Sequence, residues 1–199
     1  MPKKLLNSPA FLLACITAIA AAALMSPKTR SLVEAAADST SPRSVPLSED
    51  WEVVRVADGD TITVKRGSET KRIRFCGIDA PETQQPMGKE STEKLRSLVA
   101  LAKNQVIIIP VETDRYGRTV AEVMAAVSGE WGIEMSFQEE MLKSGMARIY
   151  PAFVDKCPNK EAFKQAEEIG KSQRSGVWGD SSSIPPWEFR KQQRQNKSN

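Results

Sequence analysis

The sequence predicts an α+β protein, mainly β, built on a small closed five-stranded barrel with three helices. Three observations carry this. Five short segments rich in Val, Ile and Thr fall within residues 51–127. An amphipathic helical segment is inserted between the third and fourth, and two more helical segments follow the fifth. Asp-Gly and Gly-containing turn signals join the strands at hairpin spacing.

The elements follow in order. Lys3 and Lys4 precede residues 11–25, an uncharged run with Thr17 as its one polar side chain. Residues 1–37 therefore read as a secretory signal or a single membrane anchor. A run of about fifteen apolar residues matches a signal core and is short for a spanning helix. Residues 38–50 are Ser- and Pro-rich and cannot bury a core, which is the composition of a flexible linker. Strands are expected at residues 51–56 and 61–65, joined by Asp58-Gly59, and at residues 71–78. Residues 89–103 place Leu95, Leu98, Val99 and Ala102 on one helical face, with Ser91 or Thr92 as N-cap.

Strands four and five are expected at residues 105–111 and 119–127. A second helix spans residues 135–144 and stops at Gly145. A third starts after Asn159, a good N-cap, and puts Phe163, Ala166 and Ile169 on one stripe through Arg174. Residues 176–179 fold back as an anchor that closes a domain over residues 51–179. Residues 180–199 form a polar, basic tail with Ile184, Trp187 and Phe189 as its apolar residues, read first as a solvated end and otherwise as loosely docked, with Arg190, Lys191, Arg194 and Lys197 as a further source of local charge for an anion.

Composition narrows the chemistry. The chain has 199 residues, room for one ordinary domain with extensions. Its net charge of +3 resides in residues 1–37, where Lys3, Lys4, Lys28 and Arg30 oppose Glu34, so the remainder is neutral. Bulk basicity is therefore no argument for nucleic acid, and an anion must be captured by local charge. There is no His, which excludes imidazole catalysis, and no Cys-x-x-Cys zinc site. Cys15 lies in the leader, which leaves Cys76 and Cys157 either as a disulfide of an exported domain or as two reduced buried thiols.

Three motifs carry chemistry. Asp58-Gly59-Asp60-Thr61 is by itself an ordinary turn. Arg74 and Asp79-Ala80-Pro81-Glu82 form the second. Asp114-Arg115-Tyr116-Gly117-Arg118 is the third, alone a polar loop with a Gly turn. Asp60, Asp79 and Glu82 are acceptor-only oxygen groups suited to a hard cation, and Arg74 and Arg118 can each fork onto a phosphate. Strand alternation puts Arg74 and Asp79 on opposite faces, so one site can use both only if the strand bends, and Gly77 is the place for the bend. Pro81 holds Ala80 extended.

The order and spacing of these motifs, with Arg74 eight residues before Glu82, closely resemble the thermonuclease, or staphylococcal nuclease-like, family over residues 51–178. The resemblance implies an OB-fold specifically and an exported, calcium-dependent nuclease. Such an enzyme cuts DNA and RNA, single-stranded or locally opened, with little sequence preference. It implies Ca²⁺ held by Asp60, Asp79 and the Ala80 carbonyl, Glu82 as general base, and Arg74 and Arg118 on the transition state. Arg115 and Tyr116 are implied as substrate contacts. Ala80 stands where many members have Thr, and the loop after Glu82 is shorter than in the best-known members and lacks their Lys pair. No protein partner is implied, the membrane enters only through the N-terminal segment, and the protein is expected to be a monomer. Loss of Arg74, Glu82 or Arg118 is expected to slow the reaction with folding kept. The competing class is a non-catalytic OB-fold nucleic-acid-binding module, which the presence of all five key side chains disfavours.

Overall fold

The computed structural model describes residues 49–127 and 133–198; the expected signal or anchor and nearly all of the expected linker lie outside them. Strands β1 (Glu49–Val56), β2 (Thr61–Arg66) and β3 (Glu69–Phe75) form an antiparallel meander. Strands β5 (Gln105–Thr113) and β6 (Thr119–Val127) form the next hairpin, with β5 against β1. A parallel pairing of β3 with β6 closes the ring, giving a five-stranded barrel in the order β3-β2-β1-β5-β6. This is the OB-fold. Ile62, Val64, Ile73, Phe75, Ile108, Ala121 and Val123 are buried in its core, and their burial is the main favourable term in folding.

The expected bend after β3 is present. Gly77 sits at φ +72°, and a Cβ there would lie 2.7 Å from the Cys157 sulfur and 3.2 Å from the Val154 Cα, so only glycine meets both the left-handed backbone and the close approach. The chain then enters β4 (Ile78–Asp79), which leaves the barrel and pairs with β8 (Arg148–Ile149). Cys76 and Cys157 flank this bend and are joined by a disulfide, with Cα atoms 5.9 Å apart and a separation of 81 residues. Replacing Cys157 by Ser is expected to lower stability by up to about 4–5 kcal/mol, the chain-entropy value for so long a loop. Non-reduced protein in which both thiols accept an alkylating label, read by intact mass, would show that the bond is absent.

Helix α1 (Gly88–Leu101) buries Leu95, Leu98 and Val99 as the periodicity predicts. Its start differs from expectation. Neither Ser91 nor Thr92 is the N-cap, which is Met87 in the left-handed region. Ser91 instead donates its hydroxyl to the Met146 carbonyl at 2.6 Å, and Thr92 to the Gly88 carbonyl at 3.0 Å. The second helix is shorter than its sequence pattern. Met135 and Ser136 belong to a strand, β7 (Ile133–Ser136), that extends the sheet beyond β6, and α2 (Phe137–Lys143) begins after it with Ser136 as its cap.

Helix α3 (Lys160–Ser172) starts after Asn159, but that side chain does not cap it. Its amide donates to Glu122 at 2.6 Å, while its backbone N–H donates to the same buried carboxylate at 2.8 Å. Ile169 is 41% exposed and not part of the buried stripe, where Phe163, Ala166, Glu167 and Gly170 lie. A 3₁₀ turn over Gly176–Trp178 buries Val177, the expected fold-back.

The last 20 residues depart most from expectation. Instead of a solvated end they contain a fourth helix, α4 (Pro186–Ser198), fixed to the domain. Gln85 donates to the Ile184 carbonyl at 2.7 Å and Arg148 to the Ser183 carbonyl at 3.0 Å. The Trp187 ring stacks on Tyr150, with centroids 5.3 Å apart and planes within 5°.

Candidate active site

The Asp58-Gly59-Asp60-Thr61 turn joins β1 to β2. The Asp58 carboxylate accepts the Asp60 N–H at 3.1 Å, an Asx-turn that fixes the loop. Gly59 is packed so closely that a Cβ would stand 2.7 Å from that of Ala80. This contact sets the first motif directly against the second. Asp60 and Asp79 are both buried, with 1% and 0% exposure. The bend at Gly77 brings Asp79 back to the side from which Arg74 projects. Arg74 spans the two carboxylates: Nη1 donates to Asp60 and Nη2 to Asp79 at 2.6 Å.

The other Asp60 oxygen accepts the Ala80 N–H at 2.7 Å, and Thr61 donates its hydroxyl to Asp60 at 3.1 Å. Burial pushes the Asp60 carboxyl up from 3.8 to about 8; the charges of Asp58 and Asp79 act in the same direction, against the pull of Arg74 and the Ala80 N–H. Two buried carboxylates side by side make a place where added positive charge is favoured. Among the described residues, no three acidic, His or Cys side chains form a cage for an ion by themselves. The groups expected to serve a cation, Asp60, Asp79 and the Ala80 carbonyl, all offer hard oxygens. They fit a cation that keeps part of its water shell.

Glu82 stands at the rim, with its side chain 41% exposed. Its backbone N–H donates to the Gln85 side chain at 3.3 Å, and its carbonyl accepts the Gln85 N–H at 2.7 Å, a tight turn leading into α1. Its carboxylate is held by Arg190 of α4. Arg190 donates to Glu82 at 2.7 Å and grips both oxygens of Asp79, at 3.1 and 2.7 Å. These bonds, set against burial, raise the affinity of Arg190 for its proton. Reading the sequence assigned this residue no place in the site, naming it only as one of four tail cations that could attract an anion.

The third motif forms the loop from β5 to β6. Asp114 organises it, accepting the backbone N–H groups of Tyr116 and Arg118 at 2.9 Å each and the Arg118 Nε at 2.7 Å. These bonds outweigh burial and hold the Asp114 carboxyl below its ordinary value. The structure does not bond Arg118 to Asp60, Asp79 or Glu82; its ion pair is with Asp114. The closing strand pair nevertheless brings its loop next to the strand of Arg74. Arg74 on β3 lies opposite Val120 on β6, and Arg118 is the last loop residue before that strand begins at Thr119. Tyr116 is 69% exposed, with the Arg115 and Arg118 guanidiniums 4.9 and 5.6 Å from its ring centre.

An OB barrel that carries two buried carboxylates, a rim carboxylate and several guanidiniums has the groups that a hydrolase of phosphodiester bonds uses. Comparison with known proteins makes this specific. The family described as staphylococcal nuclease homologue matches residues 72–180, more than half of the chain. A protein named micrococcal nuclease from Shigella flexneri is 34% identical over 152 residues, covering 74% of this chain and 85% of its own. An uncharacterized endonuclease from Escherichia coli O157:H7 is 34% identical over 138 residues, covering 69% and 82%. A thermonuclease from Staphylococcus hyicus is 30% identical over 138 residues, covering 66% and 77%. The chain belongs to the staphylococcal nuclease family.

Proposed function

We propose that this protein is an exported, Ca²⁺-dependent nuclease that hydrolyses DNA and RNA with little sequence preference. The observation that carries the reading is the Arg74 bridge between two buried carboxylates, Asp60 and Asp79, beside a rim carboxylate, Glu82. Asp60, Asp79 and the Ala80 carbonyl would hold the cation. When bound, Ca²⁺ supplies positive charge that polarises the phosphate and mildly acidifies nearby water. Glu82 takes the proton from the attacking water, a task for which a carboxylate at the rim of a cleft is placed. Arg74 and Arg118 stay protonated and meet charge that builds on the phosphorus oxygens.

Exposed Tyr116, flanked by Arg115 and Arg118, offers an aromatic face and cations to a base or sugar of a single strand. Contacts of this kind are made to backbone and π-face, which every sequence presents. The Cys76–Cys157 disulfide supports export, since such bonds persist in oxidising compartments.

Purified protein treated with chelator should leave DNA and RNA intact and degrade them when Ca²⁺ is restored. Asp60→Ala and Asp79→Ala should each shift the calcium titration of activity to higher concentration. Degradation in chelator, or titrations of both variants that overlay that of the wild type, would remove the metal from this reading.

A further inference from the structure

Arg190 has no role in the motifs, yet it makes more bonds to the site's carboxylates than Arg118 does. We propose that Arg190 is a further substrate-binding guanidinium, and that α4 forms one wall of the cleft that receives the nucleic acid strand. The proposal rests on the nuclease reading above. Three observations carry it.

First, the residue is delivered by a fixed support. The Gln85 bond to Ile184, the Arg148 bond to Ser183 and the Trp187 stack on Tyr150 hold the segment before and at the start of α4 from three directions. A plug that leaves the site would have to break all three, whereas the Arg190 side chain can turn about its own bonds with the helix in place. Second, α4 and the Glu82 turn enclose an open pocket of about 210 Å³, lined by Glu82, Thr83, Gln84, Phe189, Arg190 and Gln193. It is below the volume usual for a whole drug-sized ligand and suits one unit of a strand. Phe189 supplies an aromatic face, Gln84 and Gln193 supply amides, and Arg190 supplies the fork that matches a phosphate.

Third, the fork already lies on the carboxylates of the site: it bonds both oxygens of Asp79 and one of Glu82. A group that matches a phosphate therefore stands beside the residues that the nuclease reading uses. In the free protein the fork rests on Asp79 and Glu82; a cation on Asp79 competes with that contact and leaves the fork for the phosphate.

The test uses the whole protein and its Arg190→Ala and Arg190→Lys variants. Three quantities are measured: kcat and KM on single-stranded DNA at saturating Ca²⁺, anisotropy of a labelled short phosphorothioate strand, and calorimetric Ca²⁺ binding without nucleic acid. In Arg190→Ala, KM and the strand dissociation constant should rise about tenfold or more, the loss expected for a charge-assisted phosphate contact, with kcat changed much less. Calcium alone should bind several-fold tighter, because its competitor is gone. Opposite effects on the two ligands are not produced by a helix that merely props the fold. Arg190→Lys should recover part of the strand affinity, and hydrogen exchange across α4 should match the wild type.

Strand affinity and KM equal to wild type in Arg190→Ala would overturn the proposal, as would a faster enzyme, which would make the contact autoinhibitory. Wild type that binds the strand through Arg190 without cutting would overturn the nuclease reading alone. Wild type that neither cuts nor binds would overturn both.

Discussion

Arg74→Ala is expected to lose about 3–5 kcal/mol of folding stability, in addition to its effect on the reaction. Asp60 and Asp79 are 2% and 1% exposed at their side chains, and Arg74 is the guanidinium that touches both. Removing one partner of a buried ion pair leaves an uncompensated charge, the costly case. Here two carboxylates are affected at once. Asp79 keeps Arg190, but Asp60 keeps only the Ala80 N–H and the Thr61 hydroxyl. For a domain of this size the melting temperature should fall by on the order of 10 °C. Arg74→Lys should lie between the two, because an ammonium keeps the charge but cannot fork between two acids. Urea unfolding monitored by circular dichroism measures the difference, and a loss below about 1 kcal/mol would mean that the two carboxylates are protonated or solvated when Arg74 is absent. The motif alone assigns Arg74 to the transition state and leaves folding intact; the burial of its partners gives it a structural task as well.

What the sequence made legible follows a physical line. The strands were readable because Val, Ile and Thr alternate along them, and the bend at Gly77 because no other arrangement lets Arg74 and Asp79 meet. Closure of the ring by β3 and β6, the pairing that brings the Arg118 loop next to the strand of Arg74, was not legible, since strand order depends on contacts across 46 residues that no local pattern encodes. Side-chain caps failed for the same reason. Ser91 and Asn159 have the right chemistry to cap a helix, but Met146 and Glu122 offer them tertiary partners instead.

The error over α4 had an available signal. Pro186 is suited to the first position of a helix and precedes a run of Lys, Gln and Arg, all good helix formers. Trp187 and Phe189 are apolar residues that a solvated tail would not need. Only the partners were invisible. Tyr150, Asp79 and Glu82 lie 37 to 111 residues away, and their meeting with α4 is a property of the fold.

Glu82→Gln and Arg118→Ala are expected to reduce kcat by roughly a hundredfold or more, and, unlike Arg74→Ala, to leave the fold nearly unchanged. Glutamine keeps the shape of Glu82 but cannot accept the water proton, which removes general-base catalysis. Arg118→Ala removes a guanidinium from charge that develops only in the transition state, so kcat and kcat/KM should fall together. Neither residue belongs to the buried core: Glu82 is 41% exposed and paired with Arg190, and Arg118 is 24% exposed and paired with Asp114 in the β5–β6 loop. Pairs that solvent reaches contribute about 0–1 kcal/mol. Asp114 also retains the Tyr116 and residue-118 backbone N–H groups that shape its loop. Single-turnover cleavage of a labelled strand, with melting curves for each variant, separates the two effects. A variant with wild-type turnover loses its place in the mechanism, and a variant that is slow only because it unfolds moves from the chemistry to the scaffold.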